Sequence, residues 1–366
     1  MNLELLYQWI KLIQCQFPNL GAWQARNLAL FSYGVVLAEH CRISKIAEEL
    51  AFFGRIPSLE RQLRRWLANP RFDQEGCWDI WIAWVWSRLH VPRAVVQVDE
   101  TKIADRWAIM MVSLAFERRA IPLVWRCYRA NSKQDYPAQG QVLMIWGLLA
   151  RVLAVLPADS RPVIQMDRGL AHSSAMIKAL KNLKVDFLIR VKGNATFTLK
   201  NGRKCLLREL VCPGKSITYH GFLFSNQKQV KGTVHLIWEL EQKEPWCLFT
   251  SDASIRGSAY ALRMWQEESF RDLKSGGWQW QCTYITSPDH AHRLIFVLTL
   301  AYAWMLTQGT FVLHGDADIQ REVFDGRRNK YSLFRSGLRY FKRMSVHNAS
   351  LVYRGLFFVP AFKPLC

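Results

Sequence analysis

Two aspartates of this chain stand where a carboxylate is able to bind a metal ion. Asp99 follows the apolar run Val95-Val-Gln-Val98, and Asp167 follows the apolar run Val163-Ile-Gln-Met166. A carboxylate directly after a buried strand is held rigidly at the edge of a sheet, where ligands of α/β folds bind. The two side chains would share a divalent cation if their strands are neighbours. The alternative for each is an ordinary aspartate in a turn that ends a strand.

A third carboxylate, Glu267, lies in a segment with helical spacing. At about 100° per residue, a helix would hold one stripe of side chains within roughly 80° of one another, namely Tyr260, Arg263, Glu267, Arg271 and Lys274. A tyrosine, cations and a carboxylate along one line would bind phosphates and a metal together. The alternative is a solvated face on which Glu267 forms i,i+4 ion pairs with Arg263 and Arg271.

The net charge points to a polyanionic partner. Among 366 residues, 49 Lys and Arg stand against 29 Asp and Glu, which gives a formal charge of +20. The excess is spread over 91–185, 186–256 and 310–366, whereas 1–90, at +2, and 257–309, at 0, are close to neutral. A histone-like or ribosomal tail would concentrate it, so we expect a folded protein that presents several surfaces to a long nucleic acid.

Other kinds of site have little support. The nine cysteines form no Cys-x-x-Cys pair, so neither a disulfide framework nor a zinc site is indicated, and a reducing cytoplasm fits. The motif Asp289-His-Ala-His292 carries metal-capable side chains, but Ser287-Pro-Asp before an apolar run favours a helix cap. The first residues lack a basic start and a cleavage site, so we expect no signal peptide. The apolar run Leu294 to Leu306 is shorter than the about 20 residues that span a bilayer, which predicts a buried helix.

The N-terminal residues that would position a nucleic acid follow a helical pattern. Within 1–90, Ser44 is able to cap one helix and Ser58 a second, with the break Gly54-Arg-Ile-Pro57 between them. The second helix would bury one apolar face and expose three arginines, Arg61, Arg64 and Arg65. A helix-turn-helix that binds a major groove has this pattern. An ordinary helical hairpin with a basic face is the alternative.

The elements that carry the carboxylates follow from residue 91 onward. Strand patterns occupy Ala94–Val98, Trp107–Phe116, Ala120–Tyr128, Pro162–Met166 and Asp186–Val191, and helical patterns occupy Pro137 to Leu156 and Ser174–Leu183. Three strands followed by helix, strand, helix and strand predict a mixed sheet flanked by helices, a fold of the α/β class.

Alternating runs then predict an antiparallel β-subdomain over 193–256, inserted into that core. Its strands are expected at Ala195–Leu199, Cys205–Leu210, Ser216–Phe224, Val230–Leu240 and Trp246–Thr250. Helical patterning returns over 257–308, and 309–366 reads as a basic, less regular C-terminal tail.

The stripe resembles a known signature. Tyr260-x-x-Arg263-x-x-x-Glu267-x-x-x-x-x-x-Lys274 is similar to the Tyr-Arg-Glu-Lys signature of a subgroup of bacterial insertion-sequence transposases, the large DDE family numbered four. Asp99-Glu-Thr101 and Asp167-Arg168-Gly169 resemble the family's first and second catalytic motifs. The resemblance is firm over 99–274, loose over the N-terminal helices and slight over the tail.

That resemblance implies an RNase H-like mixed-sheet core over 91–192 and 257–308, with Asp99 on its first strand and Asp167 on the adjacent fourth strand. It also implies catalysis by Asp99, Asp167 and Glu267 as ligands of Mg²⁺, with Mn²⁺ as a substitute, because hard cations prefer oxygen ligands. Tyr260, Arg263 and Lys274 would hold DNA phosphates. Trp246, with Trp238 as fallback, would stack on a flipped base, or else pack inside the β-subdomain.

The function expected is therefore DNA transposition: cleavage at the terminal inverted repeats and joining of the 3′-OH to target DNA. A homodimer would pair the two ends, in the bacterial cytoplasm at the nucleoid and without a membrane. Two alternatives remain open. An RNase H-like nuclease or resolvase would not need the helical domain, and a DNA-binding regulator derived from a transposase would normally have lost the carboxylates.

Overall fold

The N-terminal part of the chain is helical, as predicted. The computed structural model describes residues 3–89, 93–131, 140–315, 320–321, 323 and 331–346. The first of these ranges forms α1 (Leu3–Gln16), α2 (Ala22–Ala38), α3 (Ile43–Glu49), α4 (Ile56–Leu67) and α5 (Gln74–Leu89). Apolar residues recur at helical spacing in α4, whose Leu59, Leu63, Trp66 and Leu67 are buried, and this inward face was predicted.

The predicted helix caps were wrong. Helix α3 begins one residue before Ser44, with Arg42 at its N-cap, and α4 begins two residues before Ser58, with Arg55 at its N-cap. Neither cap makes a side-chain hydrogen bond to the helix. Pro57 lies in the first turn of α4, where the missing N–H of proline costs nothing because no intrahelical acceptor exists there.

Five strands form the centre of the sheet: β1 (Val95–Ile103), β2 (Trp107–Phe116), β3 (Arg119–Arg129), β4 (Val163–Met166) and β5 (Asp186–Val191). Their spatial order is β3-β2-β1-β4-β5. The first three pair antiparallel, and β1 pairs with β4 and β4 with β5 in parallel. This mixed α/β arrangement is consistent with an RNase H-like transposase domain.

Helices α6 (Gly140–Val155) and α7 (Ser174–Asn182) connect β3 to β4 and β4 to β5. The start predicted for α6, at Pro137, lies outside the described residues. Parallel neighbours need such crossovers, because a tight turn can join only antiparallel strands.

The strands over 193–256 extend the same sheet and do not form a separate layer. They are β6 (Thr196–Leu199), β7 (Lys204–Leu206), β8 (Lys215–Leu223), β9 (Val230–Trp238) and β10 (Trp246–Thr250). Strand β10 pairs antiparallel with β5, so that the described strands form one ten-stranded sheet in the order β3-β2-β1-β4-β5-β10-β9-β8-β6-β7. The predicted strand 205–210 was too long, because residues 207–210 turn into a 3₁₀ helix.

Helices return after β10: α8 (Met264–Leu273), α9 (Pro288–Leu313) and α10 (Leu333–Val346). The predicted boundary at 308/309 cuts α9, and at least part of the expected tail is an ordered helix packed on α9. The crossing is close at Gly309 and Gly337, where a Cβ atom at Gly337 would overlap the carbonyl oxygen of Met305. By length and composition α9 would reach across a membrane, but 94% of its most apolar window is buried in the protein.

One hydrophobic core joins the N-terminal helices to the rest of the molecule. Trp9 of α1 stacks on Trp304 of α9 with 4.2 Å between ring centroids and 8° between planes, and Phe341 of α10 meets Trp304 edge to face at 5.1 Å. Aromatic pairs of this kind add about 0.5–1.5 kcal/mol to the burial of their surfaces. Helices α1 to α5 therefore share the core that supports the sheet.

Candidate active site

Parallel pairing of β1 and β4 brings two carboxylates together. The register joins Val98 to Met166, so Asp99 and Asp167 follow the last paired residues of neighbouring strands. Strand β1 does not end there, contrary to the prediction, because it continues beside β2 to Ile103, with Asp99 opposite Met111. Asp167 does follow the end of its strand, and its Oδ1 accepts hydrogen bonds of 3.0 Å from the backbone N–H groups of residues 169 and 170.

Arg263 links Asp99 to Glu267. Its Nη2 lies 2.7 Å from Oδ2 of Asp99, and its Nη1 lies 3.6 Å from Oε1 of Glu267. The arginine side chain is 6% exposed and that of Asp99 15%, whereas Glu267 is 52% exposed. The Nε and Nη1 atoms of Arg263 are buried without a hydrogen-bond partner in the described structure. The guanidinium is therefore held mainly by the charge of two carboxylates.

Burial dominates the electrostatics of Asp99. It raises the pKa of this carboxyl to about 6; Arg263 opposes the rise and the nearby charge of Asp167 adds to it. An ion pair alone would have lowered the pKa. The net rise means that the negative charge at this position is only partly compensated by protein groups, so a further positive charge there would be stabilised.

The predicted helical stripe is partly wrong. Residues 257–263, which include Tyr260 and Arg263, form a 3₁₀ helix, and Lys274 lies just past α8 with non-helical dihedral angles. Arg271 pairs at 3.1 Å with Glu268 and not with Glu267. Tyr260, Arg263 and Lys274 nonetheless contact the strands that carry the aspartates, because the turn after α8 returns Lys274 to β1. Glu267 is joined to Asp99 only through Arg263.

Lys274 and Tyr260 each contact the strands that carry the aspartates. The Nζ of Lys274 donates a 2.6 Å hydrogen bond to the hydroxyl of Thr101 on β1, and the Tyr260 hydroxyl donates at 3.2 Å to the carbonyl of Met166, the residue before Asp167. Burial lowers the pKa of Lys274, opposed by the charge of Asp99, and burial raises the pKa of Tyr260.

Trp246 lies beside this cluster. It begins β10, is partly buried, and meets the Tyr260 ring edge to face with 5.5 Å between centroids. This contact joins Trp246 to a residue outside the β-subdomain of 193–256, and the partial exposure of Trp246 leaves surface for a ligand. Trp238, the fallback residue, donates its Nε1–H to the carbonyl of Gln242 within the turn after β9.

Two buried glutamines, missed in the sequence, fix the 3₁₀ segment. Gln97 donates to the carbonyl of Leu262 at 2.5 Å, and Gln165 donates to the carbonyl of Ala259 at 2.8 Å. Both are fully buried. A signal was available, because each glutamine is the one polar residue of the four-residue apolar run before a candidate aspartate. Each also stands two positions before that aspartate, on the same face of the sheet.

A buried ion pair holds α8 against the sheet and was also missed. The Nε of Arg119 on β3 donates to Oδ2 of Asp272 at 2.5 Å, and the Tyr302 hydroxyl of α9 donates to the same oxygen at 3.3 Å. Burial raises the pKa of Asp272, opposed by Arg119. No local sequence pattern predicts a pair separated by 153 positions.

The chemistry of the donor set suits a hard cation, since three carboxylates offer only oxygen ligands. Their arrangement is incomplete in one respect. Among the described residues, no three His, Cys, Asp or Glu side chains gather closely enough to hold a metal ion. The guanidinium of Arg263 pairs with both Asp99 and Glu267 and supplies the positive charge between these two carboxylates.

The other residues singled out in the sequence lie on the surface of α4 or at the start of α9. Arg61, Arg64 and Arg65 are exposed on α4, as predicted. Ser287 stands at the N-cap of α9, as predicted, but makes no side-chain cap hydrogen bond. His292 is a structural residue: its Nε2 accepts the backbone N–H of residue 127 at 3.0 Å, and burial lowers its pKa to about 3.

A comparison with known protein families finds a match in the central part of the chain. Residues 127–304 match the family model described as the transposase DDE domain. The matched stretch includes Asp167, Glu267 and every residue of the Tyr-Arg-Glu-Lys pattern, and it begins after Asp99. No curated protein matches the chain. The match over residues 127–304, on a mixed α/β sheet with two neighbouring aspartates, supports a DDE transposase.

Proposed function

We propose that this chain is a DNA transposase of the Tyr-Arg-Glu-Lys insertion-sequence type, which cleaves the ends of its element and joins them to target DNA. The observation that carries the proposal is the parallel pairing of β1 with β4, through which Asp99 and Asp167 come side by side. Glu267 is the third carboxylate, tied to Asp99 through Arg263. The transposase DDE domain match supports the same class.

Asp99, Asp167 and Glu267 would hold Mg²⁺, or Mn²⁺ in its place. When bound, divalent ions supply charge stabilisation for phosphoryl transfer. Asp167 is held in one orientation by two backbone N–H groups. Glu267, half exposed and bound only at 3.6 Å, is the carboxylate most free to turn toward an ion. Its movement would release the Nη1 of Arg263 for a phosphate oxygen.

The other predicted residues take supporting roles in this proposal. Lys274 would neutralise a phosphate beside Thr101, and Tyr260 positions the end of β4 through Met166. Trp246 would offer its exposed surface to an unstacked base. The arginines of α4 would contact the DNA backbone, and two copies of the chain would pair the two ends of the element.

The test is divalent-metal-dependent cleavage of a duplex bearing the ends that flank this gene. We expect wild type to cut at those ends. We expect Asp99→Asn, Asp167→Asn and Glu267→Gln, which keep side-chain size, each to lower cleavage by at least about a thousandfold, since each removes a charged ligand. Binding of the uncut ends, measured by gel shift, should change little.

Glu268→Gln is the matched control, because Glu268 is the next residue of α8 and pairs with Arg271 at 3.1 Å and more distantly, at 3.9 Å, with Arg119, away from Asp99. It should cleave within a few-fold of wild type. Full activity of any of the three carboxylate variants would remove that residue from the site. Metal-dependent cutting without regard to the element ends would favour a nuclease, and end binding with no cutting would favour a regulator.

A further inference from the structure

A basic cleft lies between the N-terminal helices and the segment that follows α8. Its volume is about 570 Å³, within the roughly 300–1,000 Å³ typical of small-molecule sites. Arg42, Arg64 and Tyr284 are among the residues that line it. The cleft is outside the carboxylate cluster, and of these three residues the sequence patterns assign a role only to Arg64, as a DNA-binding arginine of α4.

Tyr284 has the properties of a stacking platform. It is 75% exposed, more than any other large aromatic side chain in the described structure. The guanidinium of Arg42 lies 4.7 Å from the ring centroid and donates a 3.2 Å hydrogen bond to the hydroxyl. One cation thus fixes the ring in place. An exposed aromatic ring that is held rigidly binds a second planar group with little loss of conformational entropy.

The backbone under Tyr284 is anchored at alternate residues. Arg106 donates to the carbonyls of Gln281 and Thr283, and the Nε1 of Trp107 donates to the carbonyl of Ile285 at 3.2 Å. Both anchoring residues belong to the turn and strand that follow β1, the strand of Asp99. The extended segment is therefore fixed, and Tyr284 and Thr286 are its exposed members.

The charges around the ring suit a phosphate backbone. Arg64 faces the cleft from α4 and is 64% exposed, with only a 3.3 Å surface ion pair to Glu60. Such exposed pairs contribute little and yield readily to another anion. The cleft thus combines an aromatic face with cations on one side, which is the pattern that binds single-stranded nucleic acid.

We propose that this cleft binds an unpaired DNA nucleotide, with its base stacked on Tyr284 and its phosphates near Arg42 and Arg64. The inference rests on the proposed function for its choice of DNA. The cleft lies between α4, which lines it with Arg64, and the anchored segment, which Arg106 of the turn after β1 holds in place. Stacking tolerates any base, so the site would bind strands that are open or frayed without reading sequence.

The experiment measures binding of a short fluorescein-labelled oligothymidylate by fluorescence anisotropy, without divalent metal. We expect Tyr284→Ala to weaken binding by roughly 5- to 150-fold, the range of one base–aromatic stack. Tyr284→Phe keeps the ring and should bind within about twofold. Tyr7→Ala is the matched control, since Tyr7 is 57% exposed on α1 and outside the cleft, and it should bind as wild type does.

A second measurement tests whether the oligonucleotide contacts the Tyr284 ring directly. Photocrosslinking of an oligonucleotide that contains 5-iodouracil, followed by peptide mass spectrometry, should place a crosslink at Tyr284. Unchanged binding by Tyr284→Ala with no crosslink at 284 would overturn the proposal. Equal weakening of a blunt duplex would do the same, because it would indicate general phosphate binding. Neither readout depends on cleavage, so a failure here is distinct from a failure of the transposase assignment.

Discussion

The ion pair between Arg263 and Asp99 balances charge attraction against the loss of hydration on burial. A buried ion pair stabilises a fold only when the attraction and its hydrogen bonds exceed the cost of removing both charges from water. Here the pKa of Asp99 is raised to about 6 despite a 2.7 Å contact with Arg263. Two nitrogens of that arginine also lack hydrogen-bond partners in the described structure. The pair is therefore poorly compensated, which is expected where side chains are arranged for a ligand.

His292 predicts how stability depends on pH. Its pKa is lowered to about 3 by burial, so the folded chain keeps the ring neutral between pH 6.5 and 3 while the unfolded chain binds a proton there. Unfolding thus takes up one proton, and this residue makes the fold less stable as the pH falls. The slope is about 1.4 kcal/mol per pH unit at most. We expect His292→Gln to flatten the decline, measured by urea denaturation from pH 7 to pH 4.

His314→Gln serves as the control for that experiment, because His314 is exposed at the end of α9. Its pH dependence should follow wild type. If His292→Gln and wild type lost stability in parallel, the buried ring would not be the proton acceptor.

At the scale of elements, Gln97 and Gln165 join the two aspartate strands to the 3₁₀ segment 257–263. We expect Gln165→Leu to leave the Ala259 carbonyl without its donor and to destabilise the segment by about 1–3 kcal/mol. Hydrogen–deuterium exchange over 257–263 should accelerate accordingly. Because Tyr260 and Arg263 lie in that segment, end cleavage should fall as well.

The exchange measurement separates a local effect from a general one. Gln227→Leu, at an exposed position between β8 and β9, should change neither exchange over 257–263 nor cleavage. Faster exchange throughout the sheet in Gln165→Leu, with no excess in this segment, would argue against a specific role for the glutamine.

Most helices and strands were predictable, because the spacing of apolar residues along the chain reflects which side chains are buried. The runs at 107–116, 186–191 and 246–250 matched their strands in full. Alternation does not encode partners, so the continuity of the ten-stranded sheet through β10 was not predicted. The starts of α3 and α4 were missed for a related reason: serine is a good cap only where the backbone turns, and tertiary packing places those turns at Arg42 and Arg55.

Most residues of the candidate site were predictable from the sequence, but most contacts between them were not. Its carboxylates and cations follow from residue type and spacing, together with a family resemblance. The contacts that organise them join distant residues, as Lys274 with Thr101 and Arg119 with Asp272 do. One-dimensional spacing carries no information on such pairs. The straight helical stripe was wrong because the chain changes from a 3₁₀ to an α-helix at Met264.

At the scale of the molecule, the sheet and the N-terminal helices share one core, which extends from Leu5 to Phe341. We expect a single cooperative unfolding transition. Trp9→Ala should destabilise the whole described fold by about 3–5 kcal/mol, since it removes a fully buried ring from its stack on Trp304. Exchange mass spectrometry in denaturant should show peptides of α1 and of β4 opening together.

Trp23→Ala is the control for that prediction, because Trp23 is 49% exposed. It should cost about 1 kcal/mol or less. Separate transitions for the helices and the sheet would instead mean that 1–90 is an independent domain.

The stack of Trp9 on Trp304 also bears on how the chain is made. The ribosome delivers Trp304 about 300 residues after Trp9, which at roughly 5–20 residues per second is a wait on the order of 15 to 60 s. Helix α4 packs against the same late helix α9. During that interval the nascent N-terminal helices lack their partner α9, so α4 takes its final packing on α9 only after the residues from Asp99 to Lys274 have been synthesised.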